Sequence, residues 1–324
     1  MLIHRRGSEA YSSLPEFDDL TPIELEGDGF FISSISKIGF TSGKAFILDR
    51  RQKKIFVFND QMEFAYSIGN PGQGPGDLSQ PEDLAVGEES IYVLDEIAKR
   101  IDTFSLSGTF IARTSLAIPP DIFYSHPSAI LTDGLGKVYV AYSLSDHILD
   151  VYGTNGSYLG THLEREDPVI LYKKNIGNSS TLGWTPHKTV MHFNTFSGRF
   201  VEVFPDGNVG RQFGIKDPRL SKMAQDIQND LAKDRSGAIQ TDVISFLFYT
   251  NFCIDDEGYI YVCQRRIESG EKQRIWRIAP GGRVSSSEIP LSGDVRIKAL
   301  YYNKGRFYFV SDEERLYITK RRKP

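Results

Sequence analysis

Short apolar runs recur along the chain at a nearly constant interval, with polar turn residues between them. They come in pairs, and the first three pairs are Lys44–Asp49 with Lys54–Phe58, Ser90–Asp95 with Arg100–Phe104, and Lys137–Tyr142 with Ile148–Tyr152. Such runs are rich in β-branched and aromatic residues and are too short for helices, so they predict strands. The interval is 46 residues from Asp49 to Asp95 and 47 from Asp95 to Tyr142, which predicts a repeat architecture.

Three further pairs continue the pattern with weaker fidelity. They are Thr189–Phe193 with Phe200–Phe204, Gly258–Val262 with Arg274–Ile278, and Gly305–Val310 with Arg315–Ile318. A unit of about four short strands cannot bury its own faces, and blades arranged around a channel solve this problem. We therefore predict an all-β fold, a six-bladed β-propeller with four-stranded antiparallel blades. A β-sandwich is the competing interpretation, but the near-constant period disfavours it.

The two chain ends are predicted to close the ring together. The last unit lacks a fourth strand, whereas Thr21–Leu25 precedes the first complete unit and has no sheet of its own. We expect this N-terminal run to form the outer strand of the last blade. The predicted organisation is a flexible segment over residues 1–20 and a single propeller domain over residues 21–324.

One interval is much longer than the others, because Asn194 and Gln264 are 70 positions apart. The excess lies at about residues 216–246. Asp217-Pro218 is typical of a helix start, and an apolar stripe follows at helical spacing. We predict a helical insertion between blades 4 and 5. A helix packed across one end of the ring is favoured over a mobile lid that covers a ligand.

Composition and charge narrow the functional classes. The chain is 40% hydrophobic and 25% charged with a net charge of −4, which argues against nucleic-acid binding by bulk attraction. No apolar run approaches the roughly 18 residues of a transmembrane helix. The N-terminus has no apolar core of signal-peptide length, so the protein is either cytoplasmic or a leader has been removed. We expect a monomer.

The two cysteines, Cys253 and Cys263, flank a predicted hairpin turn. If Asp255 pairs with Gly258 across that turn, the two sulfur atoms point to opposite faces of the sheet. We therefore predict neither a disulfide nor a CxxC-type metal site.

The segment Gly69–Leu78 is rich in glycine and proline and leads directly into the strand-like run Pro81–Val86. It predicts a rigid, tightly turning connector from the outer strand of blade 1 to the inner strand of blade 2. Within this segment lies the run Gln73-Gly74-Pro75-Gly76-Asp77. It resembles the Gly-x-Gly-Pro-Gly-Glu-like element of a known propeller family, with Asp77 in place of the Glu that is usual there.

On these residues the chain resembles the NHL-type six-bladed β-propellers, and especially the propeller lipoproteins abundant in Bacteroides. Pro22–Leu25, Ile47–Asp49 and Gln52–Ile55 carry further likeness, and the match extends over about residues 20–115. The resemblance implies a cell-envelope location, in the periplasm or as an outer-membrane lipoprotein. It implies no specific activity.

Propellers commonly bind ligands at a mouth of the central channel, lined by residues that lead into each innermost strand. By repeat register these are Ser34–Ser36, Pro81–Asp83, His126–Ser128, Pro186–Lys188, Thr250–Asn251 and Arg296–Lys298. The polar candidates for ligand binding are Glu82, Asp83, His126, His187, Lys188, Asn251, Arg296 and Lys298. Their mixed charge suits a sugar, a peptide or a small anion.

We therefore predict a non-enzymatic binding propeller whose ligand is a small molecule, a glycan, a peptide or a protein, with no cofactor. The alternative is a metal-dependent hydrolase or lyase of the lactonase-like type, with Ca²⁺ or Zn²⁺ in the channel. His126, His187 and Asn251 are the candidate metal ligands. No nucleophile elbow, His-Glu-x-x-His pair or phosphate loop is present. Asp49 and Asp95 recur in register, which indicates hydrogen bonding within turns rather than catalysis.

Overall fold

The computed structural model describes residues 17, 20–117, 126–143, 147–164, 180–195, 197–215, 222, 249–265, 272–289 and 295–320. Within them, six four-stranded antiparallel sheets form the six blades of a β-propeller, so the predicted fold is confirmed. The helical insertion predicted at residues 216–246 lies outside the described residues, apart from Lys222.

The strands follow one another in chain order. The N-terminal ones are β1 (Thr21–Ile23), β2 (Glu26–Gly27) and β3 (Phe30–Phe31). Blade 1 contains β4 (Lys37–Thr41), β5 (Lys44–Asp49), β6 (Lys54–Phe58) and β7 (Phe64–Ile68). Blade 2 contains β8 (Pro81–Val86), β9 (Ser90–Asp95), β10 (Arg100–Ser105) and β11 (Phe110–Ser115). Blade 3 contains β12 (Pro127–Thr132), β13 (Lys137–Tyr142), β14 (His147–Gly153) and β15 (Tyr158–Glu164).

The second half of the ring repeats this order. Blade 4 contains β16 (Ser180–Trp184), β17 (Val190–Asn194), β18 (Arg199–Val203) and β19 (Val209–Gly214). Blade 5 contains β20 (Tyr249–Ile254), β21 (Ile260–Gln264), β22 (Arg274–Ile278) and β23 (Val284–Glu288). Blade 6 contains β24 (Ile297–Asn303), β25 (Arg306–Ser311) and β26 (Leu316–Lys320). From blade 1 through to blade 6, the first strand of each blade contacts the first strand of the next, so these strands line the centre of the ring.

The N-terminal strand completes blade 6, as the sequence predicts. β1 pairs antiparallel with β26, with Thr21 opposite Ile318 and Ile23 opposite Leu316. Just before it, Phe17 is buried between blades 5 and 6, with its ring centroid 5.1 Å from that of Phe307. The two ends of the chain are therefore held in the same blade.

The buried apolar residues divide into six clusters, one at each interface between neighbouring blades. The cluster between blades 1 and 2, for example, joins Phe46 and Leu48 of β5 to Ile91 and Val93 of β9. Central strands are apolar on both faces because each face packs against a different blade. No blade has a core of its own, so its stability depends on its neighbours.

The connector between β7 and β8 is a compact loop. Gly69 and Gly76 have φ angles of 77° and 82°, in the left-handed region that favours glycine. The loop closes on itself through a hydrogen bond from Leu78 N to Asn70 O (2.8 Å), and the Leu78 side chain is buried in the interface of blades 1 and 2. The Asp77 carboxylate accepts a hydrogen bond from Gly74 N (3.0 Å). The predicted connector between the two blades is therefore confirmed.

Arg113 in β11 anchors this loop to blade 2. Its guanidinium donates to the carbonyl oxygens of Gln73 (2.7 Å), Gly74 (3.1 Å) and Asp77 (2.9 Å). It also donates to both oxygens of the buried Asp102 carboxylate, at 2.6 and 3.1 Å. Hydrogen bonding to Asp102 raises the pKa of Arg113, so the guanidinium stays charged. Arg113 therefore links a buried carboxylate to the loop and holds the loop in place.

The cysteines are free and buried, but the predicted reason for their separation is wrong. Cys253 lies opposite Tyr261, and Ile254 lies opposite Ile260, so the hairpin turn is one residue longer than predicted. A shift of one residue reverses the relative facing of paired side chains. Both Cys253 and Cys263 accordingly lie in one apolar cluster between blades 5 and 6.

Replacing Arg113 by Ala should destabilise the protein by about 3 kcal/mol, because it leaves the buried Asp102 carboxylate with only the longer contact to Arg100 Nε (3.6 Å) and removes the three hydrogen bonds to the loop carbonyl oxygens. Urea unfolding followed by tryptophan fluorescence measures this change. Arg51→Ala, at an exposed turn position, is the matched control and should change stability by less than about 0.5 kcal/mol. Equal effects of the two substitutions would contradict the anchoring role.

Candidate binding site at the channel mouth

Strand direction defines the two ends of the channel. Each inner strand (β4, β8, β12, β16, β20 and β24) begins at one face of the ring, and strands within a blade alternate in direction. The loops that lead into inner strands therefore share this face with the turns between second and third strands. We call it the mouth face, and the other end is the opposite face.

Recurring Asp side chains hold the loops of the mouth face. Asp49, at the end of β5, accepts hydrogen bonds from the backbone N–H groups of Ser33 (2.7 Å) and Gln52 (2.9 Å). Asp95, at the end of β9, accepts them from Ser79 Oγ (2.7 Å) and Ala98 N (2.9 Å). The structural role predicted for both residues is confirmed. Each carboxylate fixes the loop into an inner strand and the adjacent turn relative to each other.

Several inner strands carry a β-bulge at the mouth face. In β8, Pro81 pairs with Asp95 and Asp83 pairs with Leu94, so Glu82 is the extra residue. Ser128 in β12 and Lys298 in β24 occupy the same position, and an extra residue also falls between Tyr249 and Phe252 of β20. Bulges re-aim side chains and are common beside binding sites. Glu82, Ser128 and Lys298 are all partly exposed at the mouth.

Four side chains from blades 1, 2 and 3 form one charged cluster on the mouth face. Arg50 Nη1 lies 2.6 Å from Glu82 Oε2, and Arg50 Nη2 lies 3.4 Å from Glu96 Oε2. His126 Nδ1 lies 2.9 Å from Glu96 Oε1. The side chains of Arg50 and His126 are 45% and 43% exposed, so a ligand can reach them. We call Arg50, Glu82, Glu96 and His126 the mouth cluster.

Burial raises the pKa of Glu82 to about 7, and the neighbouring carboxylates of Glu96 and Asp83 add to the rise, whereas Arg50 opposes it. Near neutral pH the carboxyl group of Glu82 is therefore present in both protonation states. It can donate a hydrogen bond when protonated and accept one when ionised.

Asp83 and Asn251, two other predicted site residues, instead join blades. Asp83 is buried, lies 3.0 Å from Lys37 Nζ of blade 1 and accepts a hydrogen bond from Ile130 N of blade 3 (2.9 Å). Asn251 Oδ1 accepts from Leu300 N and Asn251 Nδ2 donates to Leu300 O, both at 2.8 Å. Their polar atoms are occupied by neighbouring inner strands, which reduces their capacity for ligand binding.

Blade 6 contributes two cationic side chains, Lys298 and Arg296, and acidic residues accompany both. Lys298 Nζ lies 2.5 Å from both carboxylate oxygens of Glu314. Glu314 Oε2 also accepts a hydrogen bond from Ile35 N of blade 1 (2.7 Å). Arg296, just before β24, is exposed, and its backbone N–H donates to Asp312 Oδ1 (3.3 Å).

His187 and Lys188 do not lie with the other candidates. They belong to the turn between β16 and β17, which is on the opposite face, and they line a groove of 960 Å³ between blades 4 and 5. Repeat register misplaced them because the inner strand of blade 4, Ser-Thr-Leu-Gly-Trp, lacks a clear apolar pattern. His126 and His187 are therefore at different ends of the channel. Within the described ranges, no three His, Cys, Asp or Glu side chains are placed to hold a metal ion.

Four residues that shape the mouth are absent from the site predicted from the sequence, namely Arg50, Glu96, Lys37 and Glu314. Arg50 and Glu96 each follow a recurring Asp at the end of a second strand, at positions 49 and 95. The repeat marks positions 49 and 95, and the charged residue one position beyond each of them is at the same place in its blade. Repeat position therefore carried a signal for Arg50 and Glu96.

The comparisons with known proteins agree with this architecture. Residues 9–132 match the family model DUF5128, described as a 6-bladed beta-propeller. A presumed exported protein of Bacteroides fragilis has a similar structure (TM-score 0.66, 15% identity, 100% of both chains covered). A DUF4221 family member from Bacteroides vulgatus is also similar (TM-score 0.60, 10% identity, 94% of this chain and 97% of that chain). The resemblance to Bacteroides propellers is thus confirmed.

A third similar structure is a catalytically inactive virginiamycin B lyase of Staphylococcus aureus with quinupristin (TM-score 0.57, 12% identity, 94% of this chain and 99% of that chain). At these identities the likeness establishes the fold alone. No curated protein matches the sequence. Over the described part of the chain, no helix has the length and apolar character to cross a membrane.

Glu82→Gln should make stability less dependent on pH. The pKa of Glu82 in the folded protein (about 7) exceeds its ordinary value of 4.5, so the folded state binds the proton more tightly. Its contribution is complete below pH 4.5 and is lost as pH rises to 7. The variant should therefore gain stability relative to wild type over this window, by up to about 3 kcal/mol.

Urea unfolding at pH 4.5, 6 and 7.5 measures this trend. Glu89→Gln, at an exposed position in the turn between β8 and β9, is the matched control and should show no such trend. A flat or opposite trend for Glu82→Gln would show that Glu82 titrates as an ordinary carboxyl group.

Proposed function

We propose that the protein is a non-enzymatic binding propeller that takes a glycan, peptide or protein ligand at its mouth face. The observation that carries the proposal is the bulge repeated at one register of the inner strands. It presents Glu82, Ser128 and Lys298, partly exposed, at the same end of the channel. A local irregularity that recurs in separate blades and leaves polar side chains accessible is typical of a binding site.

The chemistry of the mouth suits a polar ligand. The half-exposed side chain of Arg50 lies beside Glu82, whose carboxyl group can donate or accept a hydrogen bond near neutral pH, and the half-exposed His126 lies beside Glu96. On the blade 6 side, Arg296 is exposed and Lys298 is partly exposed. Donors and acceptors of both signs at one mouth match sugar hydroxyls, peptide groups or charged side chains.

A lactonase-like hydrolase or lyase is less well supported, although virginiamycin B lyases share the fold. The two candidate histidines lie at opposite ends of the channel, and the side-chain amide of Asn251 is engaged by Leu300. No metal-binding group of three acidic, His or Cys side chains occurs among the described residues. The binding function therefore has more support.

We also propose a cell-envelope location, as a periplasmic protein or an outer-membrane lipoprotein. The similarity to a presumed exported protein of Bacteroides fragilis supports it. The resemblance of residues 73–77 to a motif of Bacteroides propeller lipoproteins is a second, sequence-based argument. Fractionation of cells that produce the full-length protein tests the location. Recovery in the periplasmic or outer-membrane fraction is expected, and recovery in the cytosol alone would contradict it.

Binding to arrayed glycans and peptides tests the proposed function. Glu82→Ala and Lys298→Gln should each lower the affinity for any ligand that the wild type retains by about tenfold, a loss of roughly 1.4 kcal/mol in binding free energy. Lys188→Gln, on the opposite face, is the matched control for Lys298→Gln and should bind as the wild type does. Ligands that are lost in Lys188→Gln but kept in both mouth variants would overturn the assignment of the site.

A further inference from the structure

The positive charge next to Glu82 and Glu96 is smaller than the negative charge that the two carboxyl groups carry when both are ionised. Asp83, the third nearby carboxylate, already has its own partner in Lys37. Glu82 and Glu96 share the single guanidinium of Arg50, whose contact with Glu96 is the longer one at 3.4 Å. His126 adds a full charge only when it is protonated. When Glu82 is ionised, two carboxylates therefore depend on one cation, and a second cation from a ligand would balance the remaining negative charge.

Two large apolar side chains near the turns that carry Arg50 and Glu96 are well exposed. Phe31 is 57% exposed, and its carbonyl oxygen accepts a hydrogen bond from Gln52 Nε2 (2.6 Å), two residues after Arg50. Ile97 is 68% exposed and directly follows Glu96. Ile97 lies in the turn that carries Glu96, and Phe31 contacts the turn that carries Arg50. An accessible aromatic ring and an aliphatic side chain near partly buried charge are typical of protein-binding surfaces.

We propose that the mouth cluster binds a basic segment of a peptide or protein partner. A Lys or Arg side chain of the partner approaches the carboxyl groups of Glu82 and Glu96 from the solvent side, next to Arg50, and apolar residues beside it pack on Phe31 and Ile97. The inference rests on the proposed function, because it uses the same mouth, and it adds the class of partner. Charge complementarity and the exposed apolar pair select this occupant. A bare metal ion does not fit, since the described residues offer no converging set of metal ligands.

Proton release on binding distinguishes a cationic ligand at Glu82 from a neutral one. A cation placed beside Glu82 favours its ionised form, so complex formation near pH 7 lowers the pKa of Glu82 and expels a proton. The other charged groups that face Glu82, namely Arg50, Glu96 and Asp83 with its partner Lys37, stay in place. Affinity for the basic segment should therefore rise from pH 6 to pH 8.

Capped nonapeptides with randomised flanks and a fixed central Lys, Arg, Gln or Glu test the inference on an array. Lys- and Arg-centred peptides with aromatic or aliphatic flanks should be retained about tenfold more strongly than Gln-centred ones. Glu82→Gln and Phe31→Ser should each reduce that retention about tenfold, whereas Glu89→Gln should not change it. Titration calorimetry of the best peptide in buffers of different ionisation enthalpy should show proton release near pH 7, and circular dichroism checks that each variant is folded.

Equal retention of Gln- and Lys-centred peptides, or a preference for Glu-centred ones, would overturn the inference. Binding of a neutral glycan that is lost in Glu82→Ala would leave the proposed function intact while the basic-segment inference failed. Retention of basic peptides that is unchanged by Glu82→Gln would place their binding elsewhere on the protein and also overturn the inference.

Discussion

Closure of the ring is the constraint on which the rest of this structure depends. Each blade has two apolar faces, and each face is covered only by the neighbouring blade, as the six interface clusters show. Blade 6 must therefore pack on blade 1, and the pairing of β1 with β26 ties both chain ends into that closing blade. Polar contacts reinforce the seams: Glu314 accepts from Ile35 N, Asp83 binds Lys37 and Ile130 N, and Trp184 Nε1 donates to Thr132 O.

The same inner strands must hold the ring and present a binding site, and the bulge separates these two tasks. Glu82 and Asp83 are consecutive carboxylates with opposite roles. Asp83 is buried and bonded to blades 1 and 3, whereas the extra residue Glu82 is turned to the mouth and meets Arg50. Asn251 joins blade 5 to blade 6, and Lys298, at a bulge of blade 6, stays partly exposed. A polar residue near the channel is therefore not evidence of binding until its partners are known.

The repeat pattern made the fold predictable, because strand periodicity and turn residues are local properties of the sequence. It also placed Glu82 and Lys298 at the mouth, since their register follows from clear apolar runs. The prediction for His187 and Lys188 was wrong because β16 has only Leu182 and Trp184 as strong apolar signals. Repeat position carries a signal for Arg50 and Glu96 individually, but their contact is not predictable from it, since that contact depends on the angle between blades 1 and 2. The face of the sheet to which Cys253 points depends on whether the hairpin turn has one residue more or less, and composition does not determine that length.

The location of the mouth cluster links binding to the integrity of the ring. Arg50 belongs to blade 1, Glu82 and Glu96 belong to blade 2, and His126 leads into blade 3. A ligand that engages these side chains spans two seams and meets them together only when the three blades are packed side by side. It therefore binds the closed propeller in preference to any opened form, and mass action makes it stabilise the ring. Blade packing and the binding site consequently support each other. Asp83 joins blade 2 to blades 1 and 3, and this packing brings Glu82 into contact with Arg50 of blade 1.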